Sequence, residues 1–342
     1  MRFIIFITIF VLLFSCNTVV RRPNFSEVNI EVLYEDSLSI RAIELMNGSL
    51  GFAANKAVFG SIDLQTKAVR TNVQKYDSSL PEFRAIAHTS SDFFMLSVAT
   101  PALLYKTGNQ GRMELVYTEE GENVFYDAMA FWNDKEGIAI GDSMGGCLSV
   151  IVTRDGGYSW NKLSCSQLPK SMEGEGAFAA SNTNIVIKGD KAWVGTTKGR
   201  VLYTDDKGFS WNVVQTPILR DKPTQGIYSL DFYDDLLGIA IGGDYTDPDN
   251  RSANKAITLD GGINWQLLAD NQEPGYKSCI RFVPNSDGKE IVAIGFTGIS
   301  YSNDMGMNWK ALSDEAFYTL RFQNDTVAYA AGKNRIAKLT FK

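Results

Sequence analysis

The feature that most constrains this chain is a phrase that it repeats. "VTRDGGYSW" (152–160) returns as "YTDDKGFSW" (203–211), "ITLDGGINW" (257–265) and "YSNDMGMNW" (301–309). In register, Asp155, Asp206, Asp260 and Asp304 stand 51, 54 and 44 residues apart. Two decayed copies precede them. "TGNQGRME" (107–114) has Asn109 for the Asp and Glu114 for the Trp, and "SIDLQTKA" (61–68) keeps Ser61 and Asp63; both steps are 46 residues. A unit of this length is one small supersecondary motif, which buries its apolar face only by stacking on its neighbours. The period is that of four-stranded propeller blades.

The segments between copies fit that reading. Short Val/Ile/Ala/Phe/Tyr runs alternate with Gly, Asn and Asp turns, as in "GIAIGD" (137–142), "GIAIGGD" (238–244) and "IVAIGFTG" (291–298). The expectation is an all-β, seven-bladed β-propeller over residues 28–342. Strands of the first blade fall near 38–45, 50–55, 57–62 and 67–74. Later blades start near Phe83, Val124, Gly176, Gly226, Ser278 and Phe317. The last has three strands before the C-terminus. "VNIEVLY" (Val28–Tyr34) is expected to supply its fourth, joining the chain ends and removing an exposed edge.

The repeated pattern, Ser/Thr-x-Asp-x-Gly-x-x-Trp, resembles the Asp-box or BNR repeat. Its carriers are Thr153, Asp155, Gly157 and Trp160; Thr204, Asp206, Gly208 and Trp211; Thr258, Asp260, Gly262 and Trp265; Ser302, Asp304, Gly306 and Trp309. The resemblance implies a hairpin between the third and fourth strands of a blade. The residue chemistry suits a turn: Asp accepts backbone N–H groups two residues on, Gly supplies positive φ, and the Trp N–H seeks a carbonyl. One carboxylate per separate hairpin does not converge on a substrate, so these residues are read as structural. Function is then expected on the opposite rim, in the longer connections between blades and between second and third strands, which include 141–146, 171–178, 196–200, 242–251, 273–278 and 332–335. Among Asp-box propellers the chain looks most like photosystem II stability/assembly factor-like proteins, and also resembles sialidase-like propellers. "EGAFAASNTNI" (175–185) resembles a segment of Bacteroidetes-type lipoproteins in this group, some labelled oxidoreductases; no dinucleotide, CxxC, haem or flavin signature accompanies it.

Composition narrows the partners. A net charge of -6 without a long basic run argues against nucleic acid. The single histidine, His88, leaves little for triads or zinc sites, and neither a metal nor a cofactor is expected. Residues 1–15 open with Met1-Arg2 and an apolar run (Phe3–Phe14) too short for a comfortable membrane span. With "LFSC" (13–16) they resemble a bacterial lipoprotein signal, which implies lipidation at Cys16, a tether over 16–27, and a place in the cell envelope. Asn17 after the cysteine favours the outer membrane, facing the periplasm or the surface. An exported protein can form disulfides. Cys147 and Cys165 flank the turn at Gly156, and a disulfide or two packed thiols both fit; Cys279 reads as core.

The expected function is a binding or scaffold module, monomeric, for a protein or glycan ligand. Candidate ligand-binding residues are Tyr228, Tyr245 and Tyr276, as stacking surfaces, and Arg281. A glycosidase or sialidase-like hydrolase is the alternative. It needs two carboxylates across one cleft, and Asp127, Asp142, Glu175 and Asp244 are the candidates able to reach that rim. Arg41, Arg84, Arg281 and Arg321 fall on innermost strands, where salt-bridged channel arginines are expected before a substrate clamp. The Arg-Ile-Pro motif of sialidases is missing.

Overall fold

The computed structural model describes residues 24–342. The signal segment and Cys16 lie outside the described residues. Strands dominate, and Asn109–Gly111 forms one 3-10 turn. The first strand, β1 (Val28–Met46), is long and is followed by β2 (Ser49–Ala54), β3 (Val58–Asp63) and β4 (Val69–Val73). Then come β5 (Phe83–His88), β6 (Phe93–Ser97), β7 (Ala102–Thr107) and β8 (Met113–Glu119). The next group is β9 (Tyr126–Phe131), β10 (Gly137–Met144), β11 (Cys147–Thr153) and β12 (Asn161–Lys162). It is followed by β13 (Ile185–Lys188), β14 (Lys191–Gly195), β15 (Arg200–Thr204) and β16 (Asn212–Gln215). After these lie β17 (Ile227–Phe232), β18 (Gly238–Gly242), β19 (Lys255–Thr258) and β20 (Gln266–Leu267). The chain ends with β21 (Cys279–Phe282), β22 (Ile291–Gly295), β23 (Gly298–Ser302), β24 (Lys310–Ser313), β25 (Thr319–Phe322), β26 (Val327–Ala331) and β27 (Lys333–Phe341).

Five of these groups are four-stranded antiparallel meanders, and the sixth sheet runs β25-β26-β27-β1-β2-β3-β4. The repeated four-stranded sheet is the unit of a β-propeller. In the seven-stranded sheet, β1 serves two partners. Val28 to Ser39 pairs with β27, and Ile40 to Met46 pairs with β2. Phe25 is buried against Tyr301 and Phe341, with ring centroids 4.9 and 5.0 Å away. Packing therefore starts ahead of Val28, inside the segment expected to be tether.

Within each sheet burial grades from strand to strand. Second strands such as β6, β18 and β22 are buried throughout, so they read as unbroken apolar runs. Fourth strands are exposed, as β4 and β12 are. Leading strands lie against one another in sequence, β1 on β5, then β9, β13, β17, β21 and β25, with β25 against β1.

The four repeat turns join third to fourth strands and share one hydrogen-bond network. Thr153 Oγ1 donates to Asp155 Oδ1 (2.8 Å) and accepts from Gly157 N (2.8 Å). Asp155 also accepts Ser159 N and Oγ at 3.0 and 2.6 Å. Asp260 repeats this with Thr258 Oγ1, Asn264 N and Asn264 Nδ2 at 2.9, 2.9 and 2.7 Å. The carboxylate thus reaches four residues on, not two. The reason is that the threonine hydroxyl already occupies the nearer N–H. Trp211, Trp265 and Trp309 each donate to the carbonyl of their own turn glycine, but the Trp160 N–H has no partner among the described residues. The glycine has two reasons to be there. Gly157 sits at φ 81°, and a Cβ would come within 2.2 Å of Phe94 in the preceding sheet. A Cβ on Gly262 would meet Trp193 of its preceding sheet at 2.8 Å. The turns therefore clamp neighbouring sheets together.

The sheet β13–β16 departs from the expectation for a fourth blade. Its leading strand begins at Ile185, not near Gly176. Residues 178–184 run as buried irregular chain into the space between the leading strands. Asn182, at φ 55°, donates to Ile86 O (2.8 Å) and accepts from Met129 N (3.0 Å). Ser181 Oγ donates to Ser278 O, and Thr319 Oγ1 donates to Ser181 O. Thr183 Oγ1 bonds Ser229 Oγ, and Arg41 Nη1 donates to Ala180 O. One segment thus ties together β1, β5, β9, β17, β25 and the start of β21. The space that the arginines were expected to line is plugged.

Candidate functional site

In an antiparallel meander, the first-to-second and third-to-fourth turns share one rim, while the second-to-third and sheet-to-sheet connections share the other. The repeat turns occupy the first rim. A concavity of about 360 Å³ opens on the other, above the plug. Its floor is Ala179 and Ala180. Its walls are aromatic: Phe178, Tyr276 and Tyr318 lie ahead of leading strands, Tyr228 lies on the leading strand β17, and Tyr245 and Phe296 follow second strands. The rings brace each other. Phe178 stacks on Tyr228 at 3.7 Å, with 2° between planes, and Tyr276 meets Tyr228 edge-on at 4.8 Å. Tyr228 donates its hydroxyl to Thr224 O (2.7 Å). Burial raises both phenols far above the ordinary tyrosine range, so they remain neutral donors and apolar faces.

Arg41 and Arg84 also line this concavity. Arg84 is held by Glu82 at 2.7 Å. Arg41 has no carboxylate partner among the described residues. Its guanidinium lies 4.2 Å over the Tyr318 ring, makes a 3.3 Å bond to Ala180 O, and keeps a buried Nε without a partner. Burial, and next the charge of Arg84, pull its pKa down. A mostly buried cation with spare donors, walled by aromatic faces, is built to receive an anion attached to an apolar group.

The sequence reading singled out a different arginine. Arg281 is turned onto Asp231 (3.1 Å) and does not line the concavity; Arg321 is likewise held by Glu44 (2.7 Å). Tyr228, Tyr245 and Tyr276 do come together there. Arg41, read as a channel salt bridge, is the exception that carries the chemistry. It lies at a register shift between Ile40 and Ala42, as Arg84 does between Phe83 and Ala85, but only Arg84 has a carboxylate in contact.

A second cleft, of about 710 Å³, adjoins the first across Phe178 and is lined by Asp142 and Glu175. Asp142 Oδ1 accepts Ala177 N at 3.2 Å, and burial raises its carboxyl to about 6. Asp127 is fully buried close behind, and neither of its oxygens has a well-formed hydrogen bond. Burial, and then the charge of Asp142, push its carboxyl well above the ordinary aspartate value. Glu175 is consumed: Arg200 Nε donates to it at 2.9 Å, Arg200 Nη2 pairs with it, and Met172 N donates at 2.8 Å. Asp244 stands apart. Burial pushes its carboxyl up, but hydrogen bonds from Thr246 (2.9 and 2.5 Å), Thr224 and Lys222 prevail and hold it at about 2. Two of the four candidate carboxyls thus line one cleft, Asp127 is buried behind them, and Asp244 stands apart.

The cleft's rim is cross-linked. A disulfide joins Cys147 and Cys165, with Cα atoms 5.3 Å apart, and Ser171 N donates to Gly146 O (2.8 Å). These tie the segment leading to Glu175 onto the β10–β11 turn. Cys279 is a buried free thiol. No helix of the described residues is long and apolar enough to cross a membrane. No group of three His, Cys, Asp or Glu among them is placed to hold a metal ion.

No family model matches the chain, and no curated protein matches it by sequence. Solved structures do match in fold. YCF48 bound to D1 peptide aligns with a TM-score of 0.66 at 11% identity, covering 94% of this chain and 99% of that one. YCF48 from Cyanidioschyzon merolae gives 0.64 at 10%, covering 92% and 99%. The WD40 repeats of RRP9 give 0.65 at 12%, covering 92% and 98%. At these identities the likeness speaks for architecture alone: over nearly its whole length, this chain has the fold of β-propeller proteins.

Proposed function

We propose that this protein is a seven-bladed propeller, closed by β1 and anchored in a bacterial envelope through a lipid on Cys16, that binds a segment of another protein at the plugged mouth. The ligand presents a carboxylate, from its terminus or an acidic side chain, to Arg41 and Arg84, with an apolar residue against the tyrosines. The observation that carries this is Arg41: a buried guanidinium without a counter-ion gains from an incoming carboxylate what it lacks at rest. The YCF48 structure that holds a D1 peptide shares the fold and makes a peptide ligand reasonable for this one.

The test is a peptide array probed with the purified protein, each sequence synthesised as free acid and as amide. Free acids are expected to bind at least about tenfold tighter, and Arg41→Met to erase the difference. Equal binding of acid and amide forms sinks the reading, and selective binding to a glycan array redirects it to sugars. Hydrolysis in the larger cleft is a second reading, favoured by the neighbouring Asp127 and Asp142. It requires turnover of a glycan substrate that Asp142→Asn abolishes while the protein stays folded.

A further inference from the structure

The repeat turns were expected to form the silent rim, yet the five most exposed apolar side chains of the described residues stand there, with Met307 equal to Leu80 of the other rim at 52%. Tyr158, Phe209 and Leu259 are 70%, 68% and 64% exposed, and Leu236, Ile263 and Met307 are 57%, 56% and 52%. Four of these, Tyr158, Phe209, Ile263 and Met307, directly follow the turn glycine in four consecutive sheets. The clamped turn holds each at the same height on its sheet. Lys106 lies over the Tyr158 ring at 4.4 Å, and Arg154 over Phe209 at 4.3 Å. Aromatic rings with a cation folded back over them suit an interface between apolar and wet surroundings.

The chain's entry point lies on the same rim. Asn24 Oδ1 accepts from Asn303 Nδ2 (3.2 Å) inside the fourth repeat turn, beside Met307, and from Lys310 Nζ (3.5 Å). Seven residues, Asn17 to Pro23, separate Asn24 from Cys16. Fully extended, that distance is at most about 30 Å.

We propose that the repeat-turn rim rests on a lipid bilayer surface, with Tyr158, Phe209, Ile263 and Met307 entering the headgroup region. This rests on the reading of Cys16 as the anchor. The leash starts from this rim, and resting this rim on the membrane turns both concavities away from it toward incoming ligands. The turn carboxylates Asp155, Asp206, Asp260 and Asp304 make the rim acidic, so insertion of apolar surface, not attraction to anionic lipid, is the driving force.

The experiment uses the full chain, isolated from membranes and reconstituted into phosphatidylcholine vesicles. The mass of its N-terminal peptide reports acylation of Cys16 separately. Hydroxyl-radical footprinting then compares the rims within one sample. By exposure alone Met307 should react at least as fast as Met172, and Tyr158 as fast as Tyr245, since Met172 and Tyr245 are 43% and 49% exposed on the opposite rim. In vesicles Met307 and Tyr158 are expected to fall several-fold below those partners, and to stay there when a long Gly/Ser insert after Pro23 slackens the leash. Unchanged order overturns the proposal. Protection in native envelopes but not in pure lipid also overturns it, in favour of a protein occupant. If Cys16 carries no lipid, the anchor reading fails on its own. Vesicle partition of the unacylated chain then decides the rim, with each of the four residues changed to Ser expected to cost about tenfold.

Discussion

Replacing Arg41 by Met should strengthen the fold while removing ligand binding, and the opposed signs make the test sharp. The substitution keeps an unbranched stem and deletes the charge. What is lost is one 3.3 Å bond to Ala180 O and the stack over Tyr318 at 4.2 Å, together about 2 kcal/mol. What is relieved is the burial of an unpaired guanidinium with an orphaned Nε beside a second cation, Arg84, a cost of about 3–4 kcal/mol. The net gain is about 1–2 kcal/mol, which for a domain of this size raises Tm by about 2 °C. Calorimetry on wild type and variant reads it directly, and added salt should narrow the gap, because screening relieves the Arg41–Arg84 repulsion in the wild type only. If the variant instead melts several degrees lower, Arg41 is a structural clamp on the plug, and the argument that its charge awaits a ligand is wrong.

Three further outcomes follow from the geometry. Asn182→Ala should cost about 2–4 kcal/mol in urea unfolding, since it frees the Ile86 carbonyl and the Met129 N–H inside the core and leaves a non-glycine residue at φ 55°; a cost within experimental error would mean that the plug is incidental. Asp142, raised to about 6 in the fold from 3.8, stabilises most below pH 3.8 and loses that contribution as pH rises through 6; Asp142→Asn should therefore be stabilising by about 1–3 kcal/mol at pH 7 and near neutral at pH 3.5, and a pH-independent difference refutes the assignment. Reduction of Cys147–Cys165, which closes a loop of 18 residues, should lower stability by about 3 kcal/mol, with hydrogen exchange rising first in the segment 163–175 that it ties down.

The sheets were legible in the sequence because their constraints are local. A strand buried on both faces must be a short apolar run, and "GIAIG" and "IVAIG" have no other use in a chain so rich in turns. The repeat turns were legible because threonine, aspartate, glycine and tryptophan each answer a separate demand of one hairpin. The plug was not. "FAASNTN" (178–184) looks like an ordinary polar loop, and its bonds go to strands about 50 to 140 residues away in sequence, which no period can signal. Two hints were present: the step from Asp155 to Asp206 is longer than the 46 residues before it, and Gly176 to Ile187 contains no charge, odd for a loop in water. The arginines failed for a related reason. Four of them sit on leading strands, but whether each meets an acid depends on which residue stands beside it in the fold. Arg41 and Arg84 both sit at register shifts, but Arg84 has Glu82 two residues before it, where Arg41 has Ser39.

The same logic changes the meaning of the repeated turn. Its invariant residues are occupied with one another: hydroxyl to carboxylate, carboxylate to backbone, glycine to the neighbouring sheet. None is available to a partner. Because they fix the turn so completely, the unconstrained position after the glycine is displayed at constant geometry in each sheet. At that position a soluble surface would be expected to carry polar residues, yet this chain carries Tyr, Phe, Ile and Met. A rigid frame repeated four times, each holding one apolar side chain outward, is a platform. The irregular loops on the other rim are free to vary around Arg41 without disturbing it.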